Sequence, residues 1–271
     1  MTPERELAPP LPFDQPYRAE RPAFLWLLER EVVRFLKIWR FSIVGQILSA
    51  LLFVLVFGVA LRGRVQAIHG IPYDRFILPG LVVQAVLTVG FVNGTTSLFE
   101  ARNDRYIHGV LTSPLRWWEI NIALVLGGIV RELLVGVGVF AIAGSFIGIE
   151  VKRPLVLLVA TLALLISGAQ LGVLVGTYAS SLDDIYSIET LVVLPLGFLS
   201  GIFYSVDRLP EGWRFVSYAN PVFYFVEAAR AGILGHADLP AALSLAVVTV
   251  IAAVLSLWSL ALFRSAKRLK P

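Results

Sequence analysis

Cysteine is absent from all 271 residues, which excludes disulfides, thiolate metal sites and cysteine nucleophiles together. Charge is scarce too: Asp, Glu, Lys and Arg make up 15% of the chain, against roughly 25% in soluble domains. No Gly-Lys pair occurs, so the phosphate-cradling G-x-x-x-x-G-K-[ST] loop of an ATPase is missing. Any use of ATP therefore falls to a partner. The three histidines, His69, His108 and His236, lie in separate segments without ligand spacing, so no metal site is expected. No serine stands in a G-x-S-x-G elbow, and no catalytic residue is expected. A net charge of +4 gives nucleic-acid binding little support.

What the chain has in abundance is apolar length. Hydrophobic residues make up 57%, in uncharged runs such as FSIVGQILSALLFVLVFGVAL that reach the ~20 residues a helix needs to cross a bilayer. The sequence predicts an all-α membrane protein with six transmembrane helices, near 42–61, 76–98, 120–149, 155–178, 188–206 and 239–263. Residues 1–21, rich in proline and without an apolar core, read as a disordered cytosolic extension and not as a signal peptide. Residues 22–271 form one transmembrane domain without a visible repeat. Its first part, 22–40, puts Leu28, Val32, Phe35 and Trp39 on one helical face and Arg30, Arg34 and Lys37 on another. That pattern suits an amphipathic helix in the membrane interface, or a cytosolic extension of the first span. Lys and Arg gather at the two chain ends, which predicts cytosolic N and C termini, while the middle loops barely discriminate.

Polar residues stand out against this background. Arg131 and Glu132 fall inside the third span, where ionisable groups must face a bundle interior, a cavity or the interface. Neighbours on a helix diverge by about 100°, so each needs its own partner. The loop carrying Glu100, Arg102, Asp104, Arg105 and Gly109 is charged and ends in SPLRWWE, a turn and helix start suited to docking a soluble partner. Asp183 and Asp184 favour a helix N-terminus. Between the last two spans, SGIFYSVDRLPEGWRFVSYANPVFYFVEAAR is too polar and too broken by proline to cross, and each of its helical pieces is shorter than a span. It predicts two short helices split at Asn220 and Pro221, a re-entrant or surface-lying hairpin, with Glu227 and Arg230 spaced to pair. Phe203, Tyr204, Trp213 and Tyr224 fit an outer aromatic belt; the residues alone leave anchor and gate equally open.

FILPGLVV, LTSPLRWWEI and the G-x-F-Y-S-x-x-x-L-P then N-P-x-x-Y-x-x-x-x-x-R pattern before the last span carry a resemblance. From about Pro22 onward the chain resembles the ABC-2 type permeases, the membrane subunits of type V ABC transporters, in the branch that includes YadH and NodJ. The resemblance implies a non-enzymatic permease of the bacterial cytoplasmic (inner) membrane, working as a homodimer. Two ATP-binding subunits would bind ATP and Mg, with no cofactor on this chain. It implies ATPase coupling through Glu100, Arg102, Asp104, Arg105, Gly109, Lys37 and Arg40, and an intramembrane role for Arg131, with Glu132 departing from the family's small residue. An external re-entrant hairpin between helices five and six would form a gate with Phe203, Tyr204, Trp213, Asn220, Pro221, Tyr224, Glu227 and Arg230. The cargo implied is an amphipathic lipid, glycolipid or lipid-linked glycan moved outward, with hydrophobic drug efflux as the alternative. An intramembrane transferase would need a polar catalytic cluster at one membrane face, which the sequence does not supply.

Overall fold

The computed structural model of the protein describes residues 22–60, 67–104 and 106–265. The expected extension at 1–21, Arg105 and the basic tail from 266 lie outside the described residues. Among the described residues the regular structure is helical, apart from a single antiparallel bridge between Ile68 and Ile71.

The first helix, α1 (Ala23–Leu36), starts after Pro22, whose fixed φ suits a helix entrance. It leads into a rod made of a π-helical turn (Arg40–Gly45), α2 (Gln46–Phe53) and a second π-helical turn (Val54–Ala60). Then come α3 (Tyr73–Asn103), α4 (Ile107–Thr112), α5 (Trp117–Ile147) and α6 (Pro154–Tyr178). The next rod joins α7 (Leu182–Ile188), a π-helical turn (Glu189–Val193) and α8 (Leu194–Phe198). The last three are α9 (Glu211–Ala219), α10 (Pro221–Leu234) and α11 (Ala241–Ser265).

Among the described residues, five stretches are long and apolar enough to cross a membrane: Arg40–Gly58, Tyr73–Asn103, Trp117–Ile147, Pro154–Tyr178 and Ala241–Ser265. The rod 182–198 falls short of that length. It stops at Phe198, before the expected end at Val206, because the chain turns through Gly201 in the left-handed region at φ 75°. Ser181 caps its start: the hydroxyl accepts from the Asp184 backbone N–H at 3.1 Å. The Asp184 carboxylate, accepting from the backbone N–H groups of Ser180 and Ser181 at 2.9 and 3.0 Å, is held below its ordinary pKa.

The core is α3 against α6. Gly90 and Gly94 on α3 meet Gly168 and Gly172 on α6, and Gly176, one turn on, meets Thr95, so that glycines recur at four-residue spacing on both helices. A Cβ on Gly172 would stand 2.5 Å from the Phe91 carbonyl oxygen, so only glycine permits this approach. Around this pair stand α5, α10 and α11. One end of the bundle carries α1, α4 and the C-terminus of α11, packed through Leu27, Leu98, Ile107, Ile120 and Phe263. The other end carries α9 and the connections α2–α3, α8–α9 and α10–α11. The outlying rods bury little: 22% of the Arg40–Gly58 window and 17% of that in Ala241–Ser265 are buried.

Candidate functional site

The α1 end holds a buried polar hub. Leu27, Glu31 and Phe35 form the buried face of α1, so the packing stripe is rotated from the Leu28, Val32, Phe35, Trp39 face read from the sequence. The reason is Gly127 of α5, which receives Glu31 so closely that a Cβ there would lie 2.5 Å from the Glu31 Cβ. Glu31 Oε2 accepts from the Ser97 hydroxyl at 2.6 Å and lies 3.4 Å from Arg34 Nε. Arg34 then donates from Nη2 to both the carbonyl and the Oδ1 of Asn93, each at 3.1 Å. The same Asn93 Oδ1 accepts from Arg131 Nη1 at 3.3 Å, and Arg131 Nε donates to the Ser42 carbonyl at 3.2 Å. One carboxamide oxygen on α3 thus joins a guanidinium from α1 to one from the middle of α5.

Surface chemistry at that end is tied to the hub. Arg34 Nη1 lies 3.5 Å from Glu100 Oε2, and the Arg30 guanidinium stacks 3.7 Å over the Tyr106 ring. Tyr106 donates to the Ser97 carbonyl at 3.2 Å, and burial pushes its phenol pKa up. Tyr106, in the turn before α4, is thus in contact with both α1 and α3.

A second feature lies between the first rod, α3 and the 182–198 rod. Gln46, Ser49, Gln84, Thr88 and Glu189 line a groove of about 220 Å³ together with apolar residues that include Phe53 and Phe198. Five polar side chains are thus gathered on one groove of otherwise apolar helices. Gln84 Oε1 has no hydrogen-bond partner in the fold. At the end away from α1 the groove runs under an aromatic cap. Phe203 lies 4.8 Å from Phe57 and 5.8 Å from Phe198, ring centre to ring centre, and Phe53 lies 6.3 Å from Phe198.

Above the cap, Asn220 ends α9 and caps α10, its Oδ1 accepting from Val222 N–H at 2.9 Å and its Nδ2 donating to the Leu196 carbonyl at 2.6 Å. Pro221 occupies the first turn of α10, and Gly235 at φ 74° ends the helix. Glu227 and Arg230 pair in the interior, 0% and 1% exposed. Arg230 also donates to the Gly201 carbonyl at 2.8 Å and lies 3.9 Å over the Phe76 ring. Glu227 Oε2 accepts from Leu239 N–H at 2.9 Å. This pair fastens α10 to the turn after α8, to α3 and to the approach to α11.

Comparison with known proteins places the chain in a family. Residues 22–234 match the model of the ABC-2 type transporter. The inner membrane transport permease YadH of Escherichia coli (strain K12) is 33% identical over 233 residues, covering 85% of this chain and 91% of YadH. The chain belongs to the ABC-2 type transporter family. Nodulation protein J of Rhizobium leguminosarum bv. trifolii is 26% identical over 199 residues, 72% of this chain and 75% of its own. Nodulation protein J of Rhizobium meliloti (strain 1021) is 24% identical over 261 residues, 94% and 98% of the two chains.

The ABC-2 fold distributes the residues singled out from the sequence unevenly. Glu100, Asp104, Lys37 and Arg40 are all at the α1 end, with Asp104, Lys37 and Arg40 exposed. Gly109 sits in α4, where an added Cβ meets nothing within 4 Å. Arg102 has other work: its Nη1 donates to the Gly176, Thr177 and Ala179 carbonyls at 3.3, 2.9 and 3.2 Å, closing the C-terminus of α6. Arg30 and Arg34, read as facing water or headgroups, turn onto Tyr106 and Asn93 instead. Arg131 and Glu132 do go to separate surroundings. Glu132 is fully buried against Gly90 and Gly168, both carboxylate oxygens without a hydrogen-bond partner, beside an apolar cavity of about 200 Å³.

Among the expected gate residues, Phe203 joins the aromatic cap, while Tyr204 donates to the Leu199 carbonyl and Tyr224 to the Tyr218 carbonyl, both at 2.9 Å. Trp213 is 63% exposed on α9 and stands apart from the cap. Glu31, Ser42, Asn93, the groove residues and Phe53, Phe57 and Phe198 were missed by sequence reasoning. Most are lone polar or aromatic residues in apolar runs, and only Glu31, in a charged stretch three residues before Arg34, carried a local signal.

Proposed function

We propose that the chain is the permease subunit of an ATP-driven exporter of an amphipathic lipid carrying a polar head, a glycolipid or lipid-linked glycan. The observation that carries the reading is the groove of Gln46, Ser49, Gln84, Thr88 and Glu189 beneath an aromatic cap. Amide and hydroxyl groups can exchange hydrogen bonds with sugar hydroxyls, and aromatic rings can stack on sugar faces. The apolar flanks suit acyl or prenyl chains.

In this reading the α1 end faces the cytosol, both termini lie inside, and the rod 182–198 with its following turn completes a sixth crossing. The hairpin α9–α10 dips into the outer leaflet as a gate. Lys and Arg concentrated at the α1 end favour that orientation. Two copies of the chain pair through their first rods, whose broad apolar faces are open, and each binds one ATP-binding subunit. ATP and Mg are held by those subunits. Closure of the ATP sites presses on Glu100, Asp104, Arg105, Gly109, Lys37 and Arg40. The Arg34–Asn93–Arg131 hub passes the displacement to α3 and α5, which shifts the groove between inward and outward states of different affinity.

Efflux of a hydrophobic drug is the second reading, favoured by the apolar cavity beside Glu132. ATPase stimulation in proteoliposomes containing the reconstituted complex separates the two. A polyprenyl-linked oligosaccharide is expected to stimulate, with Gln84→Leu reducing that stimulation at least about tenfold, a cost of ~1.4 kcal/mol at the recognition step. Stimulation by a hydrophobic amine alone, unchanged in Gln84→Leu, would favour the drug reading.

A further inference from the structure

At the end away from α1, the fold collects chemistry that neither the comparisons nor the transport reading uses. His69 lies in the α2–α3 connection, Ser205 and Asp207 in the α8–α9 connection, and His236 and Asp238 in the α10–α11 connection. His69 Nε2 stands 3.4 Å from Asp238 Oδ1 and 3.9 Å from Asp207 Oδ2, and the three ligand atoms lie within 4.8 Å of one another. The same Nε2 is hydrogen-bonded to the Ser205 hydroxyl oxygen at 3.1 Å, a contact that a bound ion would replace. The His236 ring packs 5.0 Å from the His69 ring, centre to centre. In the sequence His69 and His236 are 167 positions apart, without ligand spacing; the fold removes that separation.

We propose that His69, Asp207 and Asp238 bind one Zn²⁺ ion. Four-coordinate Zn²⁺ takes nitrogen and oxygen ligands at ~2.0–2.2 Å, which puts neighbouring ligand atoms roughly 3.4 Å apart. The His69–Asp238 spacing matches that edge already, and the His69–Asp207 spacing is half an ångström longer. Asp207, with 57% of its side chain exposed, is free to close the remainder by a side-chain rotation. An imidazole nitrogen among the donors suits Zn²⁺ more than Mg²⁺ or Ca²⁺, which take oxygen ligands.

Asp238 is the independent pointer to a ligand. Its side chain is 4% exposed. Oδ2 is fully engaged, accepting from the Ser205 hydroxyl at 2.7 Å and the Val206 N–H at 2.9 Å. That grip turns Oδ1 toward His69, and Oδ1 is buried without a hydrogen-bond donor. A carboxylate oxygen oriented by the outer shell and left unsatisfied is the arrangement a metal ligand requires. His69 is presented to the same point by a tight turn. The bridge between Ile68 and Ile71 closes over His69 and Gly70, both at positive φ, 52° and 75°. A non-glycine residue held there departs from the common conformations. With Zn²⁺ in place, three connections around the aromatic cap are joined by one ion. Leu239, next to Asp238, is already tied to Glu227, so the ion extends the same fastening.

The experiment is calorimetric titration of the metal-stripped, untagged chain in detergent with Zn²⁺ alone. The expected result is one ion per chain, and a rise in unfolding temperature on Zn²⁺ addition. Ser205→Ala, which removes the hydrogen bond aiming Asp238 together with the one that positions His69, is expected to weaken binding about 10- to 100-fold, the usual cost of losing an outer-shell partner. Asp207→Asn, an exposed position with little bearing on folding, is expected to weaken it at least as much, as is His69→Ala. Asp184→Asn, an exposed carboxylate at the opposite end, is expected to leave binding unchanged. Failure of the wild-type chain to bind stoichiometric Zn²⁺, or wild-type affinity in both Asp207→Asn and His69→Ala, would overturn the proposal.

Discussion

Replacing Glu227 by alanine is expected to destabilise the protein by about 3–5 kcal/mol, the cost of leaving a buried charge alone. Arg230 would remain 1% exposed with only the Gly201 carbonyl and the Phe76 face as partners. The Leu239 N–H would lose its acceptor as well. Thermal unfolding in detergent should show a single transition at a lower temperature. Replacing both members, Glu227→Leu with Arg230→Met, is expected to recover part of the loss, because no lone charge stays behind. If the single variant melts like the wild type, the pair does not fasten α10 to the bundle.

Gly172→Leu is expected to abolish the folded protein. The Cβ alone would meet the Phe91 and Gly90 carbonyl oxygens at 2.5 and 2.8 Å, and these are backbone atoms that cannot step aside singly. Overpacking ordinarily costs about 1–3 kcal/mol, and here the helices must separate along their length for the side chain to fit. That separation would expose the glycine ladders and the Glu132 carboxylate lodged between Gly90 and Gly168. Size-exclusion chromatography of the detergent extract should show aggregate where the wild type gives a single peak. Gly109→Ala provides the contrast: open space surrounds that position, so the folded peak should persist. Equal behaviour of the two variants would contradict the close α3–α6 contact.

Local chemistry explains which parts were legible in the sequence. Five apolar runs matched five long helices because length and composition are enough to mark a crossing. The split at Asn220 and Pro221 and the stop at Gly235 were readable from capping chemistry, and the Glu227–Arg230 pair from its three-residue spacing. Helix ends were read short for α3, which runs on to Asn103, because hydropathy fades at the water boundary while the helix continues. The hub could not be read. Asn93 and Arg131 stand on different helices, and nothing local shows that Asn93 would accept from two arginines. The same holds for His69 and Asp238, joined only by tertiary structure. The face of α1 was misread by about one position because tolerance for Glu31 in the packed stripe depends on a glycine in α5.

The central claim is that the α1 end receives an ATP-binding subunit. Because the chain has no cysteine, a single introduced thiol is the sole site for a cross-linker. Asp104→Cys and Trp213→Cys place that thiol at exposed positions on opposite ends. After cross-linking in native membranes, mass spectrometry of the adduct identifies the attached chain. The account predicts a subunit with a nucleotide-binding P-loop attached through position 104 and absent from position 213. Attachment through 213 alone, or at both positions equally, would contradict it.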